Sequence, residues 1–443
     1  SVVDEENRKL SDREITRRGG IEKVAKGICS RRLGLDNEWK ELYTWFQKDG
    51  RNKKEIESIL NAGFLHKTDT RLAPELTKEL YSDRNRVSVT RLEKFASCAY
   101  AHFLSYGLRL SDREEYGFEA LDLGNIAHKS LETFSKKADA QKMKWQEIPE
   151  ALRDEMIDES VEESVIDYGN TVLFSSARNE YMITRIKRLI RTSVWALTKQ
   201  IEKGDFLPSG YEMQFGSGKI DRIDTCFDND CVYVKVTDYK TGMKSFDITA
   251  LYHGLQMQLP VYLNAALDVE QRKHPHKTIV PAGIFYYRIQ DPIVSEEKTQ
   301  DAVERSILKE LKQDGLVNGD DMVISHLEKE LSGNSLLFPI GRNKDGSLSK
   351  TSHALPEELF RLVLSFAKRK EESVKDRMYD GEVSASPYEM GETTGCDYCP
   401  YRDICGFDPR LEGCSYRRLE RYSSDDAVKK MREALEENVS RDA

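Results

Sequence analysis

Between Gly218 and Gly242 the chain reads GKIDRIDTCFDNDCVYVKVTDYKTG, two strand-like runs around a polar turn. Asp221, Asp238 and Lys240 stand where a half-buried hairpin ordinarily carries apolar or neutral residues. Asp228 and Asn229 both tolerate left-handed backbone, which marks them as the expected turn centre. With that centre Phe227 faces Asp230, Cys226 faces Cys231 and Asp221 faces Val236. Opposed residues share a sheet face, as do residues two apart along one strand. Asp221, Asp238 and Lys240 therefore project from one side, with the two carboxylates as diagonal neighbours about 7–8 Å apart at Cα. A hard divalent cation fits between such carboxylates, and a lysine on the same face can relieve negative charge developing nearby. A slip of one residue would scatter the three charges over both faces. A surface hairpin with an ordinary Asp–Lys bridge would give the same letters, so the hairpin alone leaves both meanings open.

A second group of chemically capable residues lies near the C-terminus. Of eight cysteines, Cys396, Cys399, Cys405 and Cys414 crowd together, and the rest are scattered. With no secretory features, reduced thiols are expected rather than a disulfide framework. Cys396-x2-Cys399-x5-Cys405 can present three thiolates to one centre, either zinc or an iron–sulfur cluster. The fourth ligand must come from elsewhere. Cys414 is near and Cys98 remote, and spacing does not choose between them.

The elements that must carry these groups follow from periodicity. Thr90-Arg-Leu-Glu93 offers a capping box for a helix running through Cys98 to Gly107. Gly124 and Ala127 allow close backbone approach on the next helix, where His128 and Glu132 share a face. Two helices span 145–203, and the second bears Arg185, Arg188 and Arg191 on a basic stripe, either a solvated face or the wall of a groove. Tyr211–Phe215 reads as a strand entering the hairpin. Tyr252 to Ala266 reads as a helix with Gln258 and Tyr262 on one face, with a kink or an early boundary at Pro260. Ile279–Ile289 is apolar and aromatic enough for a central strand. The whole is α/β, a small mixed sheet flanked by helices. Residues 1–80 read as a helical segment preceding the main unit at 81–443, and the polar stretch 291–355 reads as a helical insertion.

Composition bounds the class. The 443 residues suffice for two or three domains, and no apolar run reaches membrane-span length. A net charge of −9 does not advertise nucleic-acid binding, although a basic groove can sit on an acidic protein. The chain starts at Ser1 rather than Met, which raises the expectation of a piece of something longer.

Six motifs occur in order: Ser88-x3-Leu92-Glu93-x4-Cys98, Gly124-x3-His128, Gly218-x-Ile220-Asp221, Asp238-Tyr239-Lys240, Gln258-x3-Tyr262 and Cys396-x2-Cys399-x5-Cys405. Together they resemble the C-terminal nuclease region of the AddB family, in the RecB-like branch of the PD-(D/E)xK nucleases, over roughly residues 81–420. The resemblance implies a restriction-endonuclease-like core. It also implies Mg²⁺ held by His128, Asp221, Asp238 and the Tyr239 carbonyl, and catalytic roles for Asp221, Asp238, Lys240, Gln258 and Tyr262. It further implies a 4Fe–4S cluster on Cys98, Cys396, Cys399 and Cys405, which would act as a structural staple. Where the family usually has Cys-Pro-Phe, this chain has Cys98-Ala99-Tyr100. The expected activity is deoxyribonuclease action on single-stranded DNA ends in double-strand break repair, in the bacterial cytoplasm. No G-x4-G-K-[ST] phosphate loop is present, so a motor would come from an AddA-like partner subunit. Two alternatives stand beside this: a stand-alone RecB-like iron–sulfur exonuclease, and a non-catalytic DNA-end-binding scaffold.

Overall fold

The computed structural model describes residues 16–30, 38–63, 71–81, 84–111, 120–168, 177–216, 218–295, 299–410 and 413–442. Five strands, β1 (Leu207–Phe215), β2 (Gly218–Asp228), β3 (Cys231–Lys240), β4 (Thr278–Arg288) and β5 (Asp314–Asn318), lie side by side in chain order, and the short strand Ala354–Leu355 completes the sheet. β1–β2, β2–β3 and β4–β5 pair antiparallel, while β3–β4 pair parallel. A parallel step needs a crossover, here the helices Ile248–Tyr252 and Gln258–Lys273. The mixed α/β sheet expected from the sequence is present, with Ile279–Ile289 at its centre as β4.

β3 is buried along almost its whole length, because both its faces are covered. Val232, Val234 and Val236 join Ile284 and Tyr286 against the helices Val89–Ser97, Gln258–Lys273, Glu357–Tyr379 and Ser424–Asp442. The alternate residues Tyr233 and Tyr239, with Phe285 and Tyr287, meet the other layer. That layer comprises the helices Ala120–Ala140, Glu150–Asp167 and Ala177–Lys203, together with the segment after β4.

Four expectations need correction. The stretch 291–355 is not a helical insertion: β5 and Ala354–Leu355 belong to the main sheet, and Val317, Val323, Phe338 and Ile340 are core. Most of its apolar residues from Leu316 onward turn inward, which polar composition conceals. The hairpin turn lies one residue later than Asp228-Asn229: Asp228 pairs with Cys231, and Asn229 takes the positive φ of 47°. Ser88, not Thr90, caps the Val89–Ser97 helix by accepting from Arg91 N at 3.3 Å. The Tyr252 helix stops there, Gly254 turns the chain at φ 81°, and a new helix starts at Gln258. Pro260 thus falls in a first turn, where its missing N–H costs nothing.

The N-terminal helices Arg17–Ser30, Glu38–Asp49 and Lys53–Gly63 bury Val24, Ile28, Phe46 and Ile56 in a small core of their own. The next helix, Pro74–Tyr81, packs on the main body, where Leu72 N donates to Gly381 O at 2.8 Å and Tyr81 meets the Tyr379 ring.

One polar group is sealed inside the sheet. Asp224, 1% exposed, accepts from Arg222 Nε at 2.6 Å and contacts Lys235 Nζ. Arg222 also lies over Trp145, and Lys235 over Phe206, Phe285 and Phe338. Burial alone would raise the Asp224 pKa, but the two cations outweigh it and hold the carboxyl below its ordinary range. Asp224→Ala would leave two buried cations without a counter-charge. It is expected to lower stability by about 3–5 kcal/mol, read as a drop in the urea midpoint at unchanged slope.

Candidate active site

The site forms where β2 and β3 part. Their ladder runs from Asp228↔Cys231 to Arg222↔Thr237, so the next opposed pair is Asp221 and Asp238. The register is shifted by two residues from the expected one. Two residues is one full side-chain period, so Asp221, Asp238 and Lys240 stay on a common side. Beyond Arg222 and Thr237, β2 continues along β1 and β3 along β4. The gap between them is filled by side chains.

Asp221 is nearly buried at 8% exposure. Its Oδ2 accepts from Tyr239 N at 2.7 Å and lies 3.3 Å from His128 Nδ1, which the Ala120–Ala140 helix delivers from the other layer. Lys240 O accepts from Ile289 N. By strand alternation, the Tyr239 N–H and carbonyl therefore point away from β4, towards Asp221. Gly124 lets the helix approach, since a Cβ there would come within 3.2 Å of Thr241 Oγ1.

A carboxylate that sequence reading missed completes the group. Glu212, on β1, lies opposite Asp221 in the ladder that pairs Tyr211 with Arg222 and Met213 with Ile220. Ligand atoms of His128, Glu212 and Asp221 all lie within 4.8 Å of one another. Glu212 adopts φ 48°, a strained conformation for a non-glycine residue and one that collects at functional sites. Lys219 Nζ stands 2.5 Å from its carboxylate. Its strand is legible as Tyr211–Phe215, but the register that sets Glu212 beside Asp221 is not.

Asp238, 1% exposed, takes Gln258 Nε2 on Oδ1 at 2.6 Å and faces Lys240 Nζ with Oδ2. Gln258 Nε2 also reaches the Tyr262 hydroxyl at 3.0 Å, so the pair predicted from one helix face acts as a single bracket. Lys244, also missed, places its ammonium 4.9 Å from the Tyr286 ring centroid on the same side, and burial lowers its pKa. Burial, and after it the charge of Asp221, push the Asp238 carboxyl up to about 7. Burial and Asp221 likewise raise Glu212. Burial opposes protonation of His128, yet its hydrogen bond to Asp221 and the charges of Asp238 and Glu212 raise its pKa. Carboxylates crowded together in poor solvent are short of positive charge, which a divalent cation supplies. His128, Glu212 and Asp221, with Asp238 and the Tyr239 carbonyl beside them, form a mixed N/O donor set that fits such an ion. A cleft of about 610 Å³ opens over His128, Glu212, Asp221 and Tyr239, lined also by Lys129, Glu132, Tyr168, Lys219 and Lys240.

This arrangement coincides with a family match. Residues 86–406 match the model of the PD-(D/E)XK nuclease superfamily. The chain belongs to that superfamily.

Relatives of the nuclease carry a more specific name. It is 34% identical over 424 residues to the ATP-dependent helicase/deoxyribonuclease B subunit of Alkaliphilus metalliredigens, covering 90% of this chain and 37% of that protein. The same-named protein of Lachnoclostridium phytofermentans is 35% identical, with 88% and 35% covered. That of Clostridioides difficile is 32% identical, with 90% and 36% covered. The chain thus spans a little over a third of the length of these relatives.

A second group of reactive side chains gathers elsewhere. Cys98 sits at the break after the Val89–Ser97 helix, in extended conformation with φ −162°. It lines a cavity of about 370 Å³ together with Cys396, Cys399 and Cys405. Cys414 is buried outside that lining. The four thiols share one cavity, as ligands of a common metal centre must.

The basic stripe on the nuclease is partly neutralised. Arg188 pairs with Asp291, and Arg191 pairs with Asp158 and lies 3.7 Å from Asp154. Arg185 is exposed. Among the described residues no helix is long and apolar enough to cross a membrane.

Proposed function

We propose that the chain is the nuclease module of a helicase–nuclease that degrades DNA ends during double-strand break repair, cutting single strands with Mg²⁺. The observation that carries this is the grouping of His128, Glu212 and Asp221, with the Asp238–Lys240 pair opposite, at the parting of β2 and β3. A bound Mg²⁺ would supply an activated water and relief of phosphoryl charge. Asp221, Asp238, Glu212 and His128 would hold it, with the Tyr239 carbonyl turned to the same side. Lys240, next to Asp238, orients the attacking water or neutralises charge at the phosphoryl oxygens. Gln258 and Tyr262 fix the rotamer of Asp238, so the carboxylate need not reorganise during the reaction.

Cys98, Cys396, Cys399 and Cys405 would carry a 4Fe–4S cluster, supported by the cavity they share. The name the relatives bear supports a motor working alongside the nuclease, and an AddA-like subunit fits that role. Single-stranded DNA leaving such a motor is the natural substrate.

The test is metal removal. Protein stripped with EDTA is expected to leave labelled single-stranded DNA intact, and Mg²⁺ to restore cleavage. Cutting that persists in EDTA would overturn the metal assignment. DNA ends bound but uncut with either Mg²⁺ or Mn²⁺ would favour the scaffold alternative.

A further inference from the structure

The helix Gln258–Lys273 starts without a side-chain cap of its own, since Met257 provides none. Its first N–H groups are met from far away in sequence. Glu93 Oε1 accepts from Met257 N at 2.7 Å and from Gln258 N at 3.0 Å. A carboxylate at this place satisfies two orphan donors and complements the positive end of the helix dipole. The residue it pins, Gln258, is the one whose side chain reaches Asp238 Oδ1 at 2.6 Å. Glu93 therefore stands one residue away from a proposed metal-holding carboxylate without touching it.

The other end of the same element reaches the thiol cavity. Glu93 lies in the Val89–Ser97 helix, which ends at Cys98, whose N–H donates to Lys94 O at 3.0 Å. One short, capped helix thus bears a lining residue of one centre and the anchor of the other.

We propose that Glu93 is a positioning residue that sets Gln258 against Asp238, and that the Val89–Ser97 helix is the mechanical link between the thiol-lined cavity and the nuclease site. The proposal rests on the nuclease function above. If the start of the Gln258 helix drifts, the bracket on Asp238 loosens and the donor set loses its preset spacing. DNA contacts made elsewhere are untouched. The signature is a loss in kcat and in metal affinity at unchanged KM, which simple loss of folded protein does not produce.

The test uses the full-length polypeptide. Glu93→Ala and Glu93→Gln are compared with wild type in steady-state cleavage of a labelled single-stranded oligonucleotide at saturating Mg²⁺. Mn²⁺ affinity is measured by electron paramagnetic resonance, and visible absorbance reports cluster content. Glu93→Ala is expected to lower kcat and Mn²⁺ affinity about 10–100-fold, the usual range for groups that orient metal ligands, with KM and absorbance retained. Glu93→Gln keeps an acceptor oxygen and should recover most of both. Wild-type kcat and Mn²⁺ affinity in Glu93→Ala would overturn the proposal, as would a loss that only tracks lost absorbance. Should Glu93→Ala yield no soluble protein, Glu93→Asp withdraws the oxygen by one methylene and gives the same readouts. A wild type that binds Mn²⁺ but never cuts DNA would refute the nuclease function instead, and the Mn²⁺ affinities would still decide Glu93.

Discussion

Asp238→Ala is expected to abolish Mg²⁺-dependent cleavage of single-stranded DNA, lowering turnover by roughly 10³-fold or more, while DNA binding in a gel-shift assay persists. Asp238 is almost fully buried, braced by Gln258 on one oxygen and facing Lys240 with the other. Removing it deletes a donor to the cation and leaves the Lys240 ammonium without its nearest carboxylate. The change also frees the end of β3 where β2 no longer supports it. Asp238→Asn separates charge from shape. It keeps an oxygen for Gln258 but cannot balance a divalent ion, so it should be nearly as inactive. Lys240→Ala should cost less, about 10²–10³-fold, the range for losing one preorganised electrostatic contact. Undiminished cutting by Asp238→Ala would sink the site assignment.

The second large effect concerns the thiols. Cys98→Ala is expected to strip the visible absorbance of a 4Fe–4S cluster and to lower the melting temperature, because binding energy at such a centre is also folding energy. Cys414→Ala should leave the absorbance in place, since Cys414 lies outside the shared cavity. Burial raises the pKa of the Cys98 thiol. The site therefore keeps Cys98 as a neutral thiol unless a bound metal takes it as thiolate. Anaerobically purified protein that is colourless and contains zinc would refute the cluster. Loss of absorbance in Cys414→Ala alone would move the fourth ligand.

Much of this site is legible in the order and spacing of the residues. Parity along β2 and β3 places Asp221, Asp238 and Lys240 together, and it survives a two-residue error in register because side chains alternate with period two. Helical spacing pairs Gln258 with Tyr262. His128 is different: only the ordered motifs single it out, since its helix lies outside the hairpin and periodicity reports nothing about contacts between layers. Glu212 escapes because the strand before the hairpin is recognisable from composition while its register is not. Asp224 shows no role in the sequence, because its two cationic partners lie on different strands and look like ordinary strand charges. The stretch 291–355 misleads for a physical reason as well. A short edge strand and a few inward residues satisfy a sheet margin without the long apolar run that marks a central strand.

The thiol cavity belongs to a wider seam where early and late parts of the chain meet. Arg84 binds Asp376 across 292 residues, Arg417 reaches Ala96 O across 321, and Tyr100 N donates to Ser384 O at 3.1 Å. Contacts of such separation bear a large loop-closure entropy and form late in folding. During synthesis, the helix carrying Glu93 and Cys98 must wait for roughly three hundred further residues before its partners leave the ribosome, an interval of about 15–60 s at usual elongation rates. The sheet and its metal donors can assemble in that time, whereas the brace on the Gln258 helix depends on a segment still lacking its far anchor. Cleavage competence would then mature only once the cysteines of the 396–405 loop have been made and can meet Cys98.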